Sequence, residues 1–355
     1  MKGRQIILDH LGGREAAALM VDGRLEDILI DSGGVRAGAI YRAVAERPMK
    51  GQGGIFVTTP DGKGFLRQLR GVVPGQVLLV QVSGQAEPGK AMPVTDRLLF
   101  KSRYAIATPG APGLNISRAI RDDDLRDQLL ALAHEVLPPG GGADDPDQPG
   151  ATMGLILRSA CAGAAPDDIA EDIRAMVDLA RAVLADASGP PEALTEGDGP
   201  HALAWREWVE PAEVDTRPGG FARHAVLDQI DAARAAEVRL PGGASMVIEP
   251  TRALVAVDVN TGGDTSPAAG LKANLAAARD LPRQLRLRGL GGVIALDLAP
   301  MPKKDRRGFE TALRAAFRAD PVETVLAGWT PLGNYELQRR RDRRPLAEIL
   351  SGAEA

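Results

Sequence analysis

Two nearly unbroken apolar runs, residues 253–257 and 293–296, each end at an aspartate, Asp258 and Asp297. Runs this apolar are typical of strands that are buried on both faces of a sheet. The segment between them has the length of a crossover helix, so the pattern predicts a strand, a helix and a second, parallel strand. Both carboxylates are then expected at the same sheet edge, where a buried charge needs a partner.

The first 36 residues contain three short, mainly apolar runs, at residues 5–8, 16–21 and 27–31, with the turn dipeptide Asp22-Gly23 between the second and the third. These runs predict three short strands.

Residues 37–105 contain further short apolar runs, of which residues 77–82 are the clearest strand. Several short strands at this spacing indicate a small barrel such as an OB-fold. Such barrels bind single-stranded nucleic acid by stacking bases on aromatic rings beside basic groups, which makes Phe56, Phe65 and Lys90 candidates. The alternative is that both phenylalanines belong to the barrel core.

Longer patterns follow: a helix at 121–133, a flexible acidic loop at 138–150, a strand at 153–159 and a helix at 167–187. The strand ends in Arg158-Ser159. Because an arginine can donate two hydrogen bonds to a phosphate, this pair is a candidate anion site, with a structural salt bridge as the alternative.

Residues 221–238 predict one amphipathic helix that carries His224, with Asp228 one turn further on. Two ligands are too few for a metal site, so a surface contact between these side chains is the better interpretation. Trp205 and Trp208 are three positions apart, which indicates one helix face and packing against the core.

Composition is ordinary for a soluble globular protein, with 44% hydrophobic and 25% charged residues in a chain of 355 residues. The single cysteine, Cys161, excludes an intrachain disulfide and a multi-cysteine zinc site within the chain. The chain contains no apolar run of membrane-span length and no signal-peptide pattern, so the expected location is the cytoplasm. The net charge of −4 argues mildly against nucleic-acid binding, but basic residues are concentrated in residues 271–355.

Two carboxylates at one sheet edge repel each other unless a cation neutralises them. Ligands that are all oxygen atoms select Mg²⁺, with Mn²⁺ as the alternative ion, and a water held there could attack a phosphodiester. Asn260 lies on the same strand face as Asp258 and could orient that water or the phosphate. Cations that could stabilise the developing charge are Lys272, Arg279, Arg283, Arg286 and Arg288. Strand-end aspartates with a purely structural role are the alternative.

The chain resembles the ribonuclease E/G family. The catalytic region of that family is similar to TRALVAVDVNTG, LPRQLRLRGLGGVIALDLAPM and LGNYELQRRR, and GAIYRAVAE and LILRSA resemble its RNA-binding module and its sensor for a 5′-monophosphate. The resemblance implies a magnesium-dependent endoribonuclease that cuts single-stranded, A/U-rich RNA by attack of a metal-activated water. The expected products carry 5′-phosphate and 3′-hydroxyl ends.

The resemblance also implies an α+β and α/β multidomain fold. The expected modules are an RNase H-like part at 1–36, an OB-fold at 37–105, a sensor at 106–188, a second RNase H-like part at 189–240 and a DNase I-like catalytic subdomain at 241–355.

Roles follow from the same resemblance. Asp258 and Asp297 would hold the metal, and Asn260 would position the scissile phosphate. Phe56, Phe65 and Lys90 would contact the RNA, with Arg158 and Ser159 at the 5′-phosphate. Arg283 and Arg286, two of the cations between the paired aspartates, are further expected RNA contacts.

The chain departs from the family pattern at several positions. Pro300 stands where a further acid is expected after Asp297, and Asn274-Leu275-Ala276 lacks another acid. The cysteine-containing zinc link is missing, so neither zinc nor a zinc-linked tetramer is expected, and a monomer and a dimer both remain open. The alternative function is a weak or inactive RNA-binding relative. A small-molecule α/β enzyme is disfavoured because the chain has no nucleotide-binding loop motif.

Overall fold

A computed structural model describes residues 3–48, 53–67, 71–86, 89–137 and 153–351. The predicted acidic loop at 138–150 lies outside these residues. The chain forms two compact units, a first of Met1–Ser32 and Ala212–Ala355 and a second of Gly33–Pro211. The module boundaries expected from the sequence stay predictions.

The strands of the described residues, in chain order, are β1 (Arg4–Leu11), β2 (Arg14–Val21), β3 (Arg24–Ile30), β4 (Ile40–Ala45), β5 (Gly54–Thr59), β6 (Gly62–Arg67), β7 (Val77–Val82), β8 (Met92–Thr95), β9 (Phe100–Lys101), β10 (Ala105–Pro109), β11 (Leu114–Ile116), β12 (Met153–Leu157), β13 (Glu192–Thr195), β14 (Glu213–Asp215), β15 (Glu237–Arg239), β16 (Ser245–Pro250), β17 (Val255–Asn260), β18 (Gly292–Asp297), β19 (Thr324–Trp329) and β20 (Tyr335–Arg339).

The helices are α1 (Asp123–Val136), α2 (Pro166–Ala185), α3 (Pro200–Glu207), α4 (Gly220–Arg223), α5 (Val226–Arg234), α6 (Ala269–Leu287), α7 (Arg306–Ala319) and α8 (Leu346–Ser351). Among the described residues, none of these helices has both the length and the apolar character needed to cross a membrane.

The first unit begins with a four-stranded sheet in the order β14-β1-β2-β3. The predicted turn connects β2 and β3, and both Asp22 and Gly23 have positive φ angles (50° and 79°). Positive φ at both central residues is typical of the tight turns that suit the twist of a hairpin. The three strands predicted in this segment are therefore confirmed.

The second sheet of this unit has the order β15-β16-β17-β18-β20-β19, and β17 and β18 are parallel neighbours. Helix α6 connects them and packs with α7 on one face of the sheet. The other face is open, since Val293 is 40% exposed and Val325 is 58% exposed. The predicted strand–helix–strand unit is confirmed, but the prediction that its strands are buried on both faces is wrong.

The prediction of one helix over residues 221–238 is also wrong. Helices α4 and α5 are separated at Ala225, which has a φ of 52°, and residues 237–239 belong to strand β15. Alanine is a strong helix former, so the sequence pattern contains no signal for this break.

The second unit contains a closed barrel of the strands β4, β5, β6, β8 and β7, which the pairing of β4 with β7 completes. This mixed α/β unit confirms the predicted barrel, which is OB-like. A second sheet, in the order β11-β12-β10-β9, packs against α1 and α2. Cys161 lies in that core, where burial raises the pKa of its thiol to about 11.

Candidate functional site

Asp258 and Asp297 are cross-strand partners at the carboxyl ends of β17 and β18. Adjacent strands are roughly 4.8 Å apart, so the two side chains are close neighbours. Both are exposed on the open face of the sheet. The Asn260 side-chain Nδ2 donates to Asp258 Oδ2 at 2.8 Å. The structure therefore brings together all three residues that the sequence singled out for catalysis.

The alternation of each strand explains this placement. In β17, Val255, Val257 and Val259 point to the core that α6 covers, which leaves Asp258 and Asn260 on the opposite face. Strand β18 has the same alternation, with Asp297 outward. The sequence suggested that the two carboxylates are buried charges. They are instead exposed, so they stay hydrated at little cost in free energy.

The segment after Asp297 packs closely against helix α6 and forms hydrogen bonds with it. The side-chain amide of Asn274 is fully buried, donates to the Ala299 carbonyl at 2.8 Å and accepts from the Ala299 amide at 3.0 Å. A Cβ added at Gly270 would lie 1.9 Å from the Pro300 carbonyl oxygen, so only glycine permits this approach. These contacts hold the backbone beyond Asp297, and sequence reasoning missed them. An amide on the apolar face of α6 was the available signal.

Glu336 is a further acid that sequence reasoning left without a role. It pairs with Ala295 across β18 and β20 and is exposed on the same open face. Asp297 is therefore its diagonal neighbour, at a distance of roughly 7–8 Å between strand positions.

A divalent cation fits the donor set at this sheet edge. Carboxylate and amide oxygens are the ligands that Mg²⁺ prefers, and this ion keeps several of its waters. Within the part of the chain that the structure describes, neither Asp258 nor Asp297 is ion paired with a lysine or an arginine. The described residues contain no group of three or more His, Cys, Asp or Glu side chains that could hold a metal. Protein ligation would therefore rest on the two aspartates.

Arg283 and Arg286 make intramolecular contacts between α6 and the first sheet. Arg283 Nη1 donates to the Leu25 carbonyl at 2.8 Å, and Arg286 Nη2 donates to the Glu26 carbonyl at 2.9 Å. Arg286 also bonds Asp320 at 2.8 Å. These guanidinium groups stabilise the fold, and their predicted contact with RNA stays a prediction.

Phe56 and Phe65 form a cross-strand pair on the outside of the barrel, with ring centroids 5.2 Å apart. Both are partly exposed and neither belongs to the barrel core, so the alternative that they are core residues is wrong. A Cβ at Gly54 would lie 2.5 Å from the Phe65 ring, so the ring lies directly over this glycine. Lys90 is exposed in a turn of the same unit.

Arg158 donates to the Glu207 carboxylate at 2.6 Å and to the Arg206 carbonyl at 3.2 Å. Burial tends to raise the pKa of Glu207, but the charge of Arg158 and a hydrogen bond from Arg206 outweigh it and lower that pKa. Ser159 is exposed at the start of the short 3₁₀ turn Ser159–Gly163. The structural salt bridge is present, and contact of this pair with a phosphate stays a prediction.

His224 does not contact Asp228. Its Nε2 lies 3.0 Å from Asp215 Oδ2 instead, because the helix breaks at Ala225. Hydrogen bonds from Arg217 and then from His224 lower the pKa of Asp215. The interpretation of a surface contact between His224 and Asp228 is therefore wrong in partner and in location, because the side chains of His224 and Asp215 are only 12% and 9% exposed.

Several known proteins are similar in sequence to this chain. The model of the Ribonuclease E/G family matches residues 202–342. Ribonuclease E of Nostoc sp. (strain PCC 7120) is 28% identical over 98% of this chain and 57% of its own length. Ribonuclease E of Escherichia coli (strain K12) is 28% identical over 81% of this chain and 29% of its own length. Ribonuclease G of Salmonella typhimurium is 27% identical over 78% of this chain and 62% of its own length.

The chain spans little more than half the length of the Nostoc relative. The match to the family model includes the whole of β17, α6, β18 and β20, which carry Asp258, Asp297 and Glu336. These matches show that the chain is similar to the ribonuclease E/G family, with the family model covering the segment that contains the paired aspartates.

Proposed function

We propose that the chain is an endoribonuclease that hydrolyses phosphodiester bonds of single-stranded RNA at the sheet edge formed by Asp258 and Asp297. One observation carries this proposal: two exposed carboxylates are cross-strand partners and no basic side chain of the described residues neutralises them. Two like charges this close favour binding of a cation. Similarity to the ribonuclease E/G family supports RNA as the substrate.

Asp258 and Asp297 would hold Mg²⁺, or Mn²⁺ in its place. When bound, the ion supplies a Lewis acid for the phosphate and lowers the pKa of a coordinated water. Asn260 is held beside the metal ligands by its hydrogen bond to Asp258, and its amide can bond a phosphate oxygen. Asn274 keeps the backbone after Asp297 in place, so the carboxylate is positioned before RNA binds.

The products would carry 5′-phosphate and 3′-hydroxyl ends, as expected when water attacks the phosphorus and the 3′ oxygen leaves. Because Pro300 has no carboxylate, the site operates with the charge of two ligands. Glu336 adds a third negative charge nearby on the open face.

RNA would be held in the second unit by the outward rings of Phe56 and Phe65, with Lys90 on a phosphate. Aromatic rings on a barrel surface stack bases without strong sequence preference. A 5′-phosphate would contact Arg158 and Ser159. Since Arg158 bonds Glu207, the phosphate has to share or replace that carboxylate.

The test is cleavage of a short, 5′-monophosphorylated, A/U-rich RNA by the purified full chain with Mg²⁺. Asp258→Asn and Asp297→Asn should each lower the rate by at least about 10³-fold, because each removes a charged ligand. Asp231→Asn is the matched control, since Asp231 is an exposed acid of the same unit on α5. Cleavage that survives Asp297→Asn contradicts the mechanism.

The same assay decides between the two functions. An RNA-binding relative without catalytic activity binds the oligonucleotide with an affinity that falls with salt, and it yields no new ends with either Mg²⁺ or Mn²⁺. The second function is motivated by the donor set, since the described residues offer no third metal-binding side chain beside the two aspartates.

A further inference from the structure

Trp205 lies in the last turn of α3 with 58% of its surface exposed. The sequence predicted that it packs against the core together with Trp208, but only Trp208 is buried. The chain has only three tryptophans. An indole left in water forfeits the hydrophobic stabilisation that its burial would provide. The placement of Trp205 therefore has to be explained by something other than core packing.

Arg103 covers the Trp205 ring. Its guanidinium carbon lies 4.0 Å from the ring centroid, which is the geometry of a cation–π contact. Since 58% of the residue is still exposed, this contact leaves much of the indole surface open to solvent. Trp205 is thus a flat aromatic surface that a cation supports.

The hydrogen bonds of Arg103 hold it there without neutralising it. Arg103 donates to the backbone carbonyls of Trp205 and Val209. None of its contacts among the described residues is to a carboxylate. Carbonyl acceptors fix the plane of the guanidinium but leave its charge uncompensated, so the Arg103–Trp205 pair remains attractive to an anion.

This pair adjoins the residues predicted to contact a 5′-phosphate. Arg158 donates to the carbonyls of Ser102 and Arg206. Ser102 directly precedes Arg103 in the chain, and Arg206 directly follows Trp205. Ser159 follows Arg158. An aromatic ring beside arginines is the arrangement by which proteins stack an unpaired base next to its phosphate.

We propose that Trp205, supported by Arg103, is a stacking site for a nucleobase near the 5′ end of single-stranded RNA. This inference rests on the proposed function in taking RNA as the ligand. Arg103 contributes positive charge beside the stacked base, and the site is separate from the Phe56–Phe65 pair, which lies on the barrel.

The experiment measures the affinity of the full chain for a fluorescein-labelled, 5′-monophosphorylated A/U decamer in EDTA, where cleavage is absent. Trp205→Ala should weaken binding by about tenfold, whereas Trp205→Phe should retain most of the affinity because it keeps an aromatic face. Leu179→Ala is the matched control, since Leu179 is an exposed apolar residue on α2 of the same unit. Thermal melting confirms that each variant is folded.

A scan of abasic nucleotides along the decamer identifies the contacted base. At one position near the 5′ end, the abasic change should weaken binding to the wild type about tenfold and leave binding to Trp205→Ala nearly unchanged. Unchanged affinity of Trp205→Ala, or equal losses for both proteins at every position, overturns the inference. Failure of the wild type to bind RNA at all instead refutes the proposed function.

Discussion

Two pairs of aspartates in the first unit have opposite environments. Asp320 is fully buried between Arg286 at 2.8 Å and Arg339 at 3.3 Å, and Asp27 is buried against Arg343 at 3.0 Å. Asp258 and Asp297 are exposed, adjacent to each other and without a basic partner in the described part of the chain. The same side chain thus serves as a cross-link in one place and stays accessible to a cation in the other.

The difference shows how a charge can be assigned a role. Removing one partner of a buried ion pair leaves the other charge uncompensated in a medium of low polarity, which is costly. An exposed pair of like charges contributes repulsion and no cross-link, so folding gains nothing from it. We infer that function, and not stability, accounts for Asp258 and Asp297, whereas the arginine-paired acids account for the packing of α6.

The largest expected effect on stability comes from Asp320, whose ion pairs with Arg286 and Arg339 are buried. Asp320→Ala should lower the free energy of unfolding by about 3–5 kcal/mol, because it leaves Arg339 and Arg286 without their carboxylate. Asp297→Ala should change it by less than about 0.5 kcal/mol in EDTA. Urea unfolding measures both variants, and a loss at Asp297 that equals the loss at Asp320 would remove the distinction between the two pairs.

Asn274 connects the exposed pair to the core. Asn274→Leu keeps the size of the side chain but leaves the amide and carbonyl of Ala299 without partners, at a cost of about 1–3 kcal/mol. Because the backbone after Asp297 loses its attachment, the Mg²⁺ concentration that gives half-maximal cleavage should also rise. A variant that loses stability but keeps the Mg²⁺ dependence of the wild type shows that Asn274 is structural only.

The buried carboxylate of Asp27 should contribute to the loss of stability in acid. Burial raises the pKa of Asp27, but the charge of Arg343 and its hydrogen bond outweigh burial and lower it. A lowered pKa in the folded state stabilises the protein above the unfolded pKa of about 3.9 and loses that contribution as the pH falls through the folded pKa. Urea midpoints at pH 6 and pH 3 should therefore differ less in Asp27→Asn than in the wild type, and an equal difference would contradict this role.

The smallest effect is expected at Glu336. It is a diagonal neighbour of Asp297, so its charge should aid cation binding through hydrated space by about 0.2–1 kcal/mol. Glu336→Gln should raise the Mg²⁺ requirement about 1.5–5-fold and leave cleavage at saturating Mg²⁺ nearly unchanged. Gln338→Ala, on the same face of β20, is the control. A loss of rate that saturating Mg²⁺ does not restore would make Glu336 a direct participant.

The paired aspartates were predictable because each follows an apolar run and a crossover of normal length separates them. The open face of the sheet was not predictable from the sequence, because its outward residues Ala256, Val293 and Ala295 are apolar and resemble core positions. Apolar sequence marks compatibility with burial and does not require it.

Arginine partners were beyond local sequence reasoning for another reason. Arg286 bonds Asp320, which is 34 positions away, and Arg343 bonds Asp27, which is 316 positions away. Without the fold, such cations are indistinguishable from those on a surface that binds phosphate. For Trp205 the sequence predicted burial and the structure shows exposure, because its spacing from Trp208 is typical of a buried helix face.

The bond between Asp27 and Arg343 also bears on the order in which the unit forms during synthesis. Strands β1, β2 and β3 are made first, yet β14 and the residues of α8 that cover their core are made more than 180 residues later. The second unit is contiguous in the chain, so it can fold on the ribosome before the rest of the first unit, from residue 212 onward, has been synthesised. The apolar faces of β1, β2 and β3 therefore lack these covering elements in the nascent chain until α8 has been synthesised.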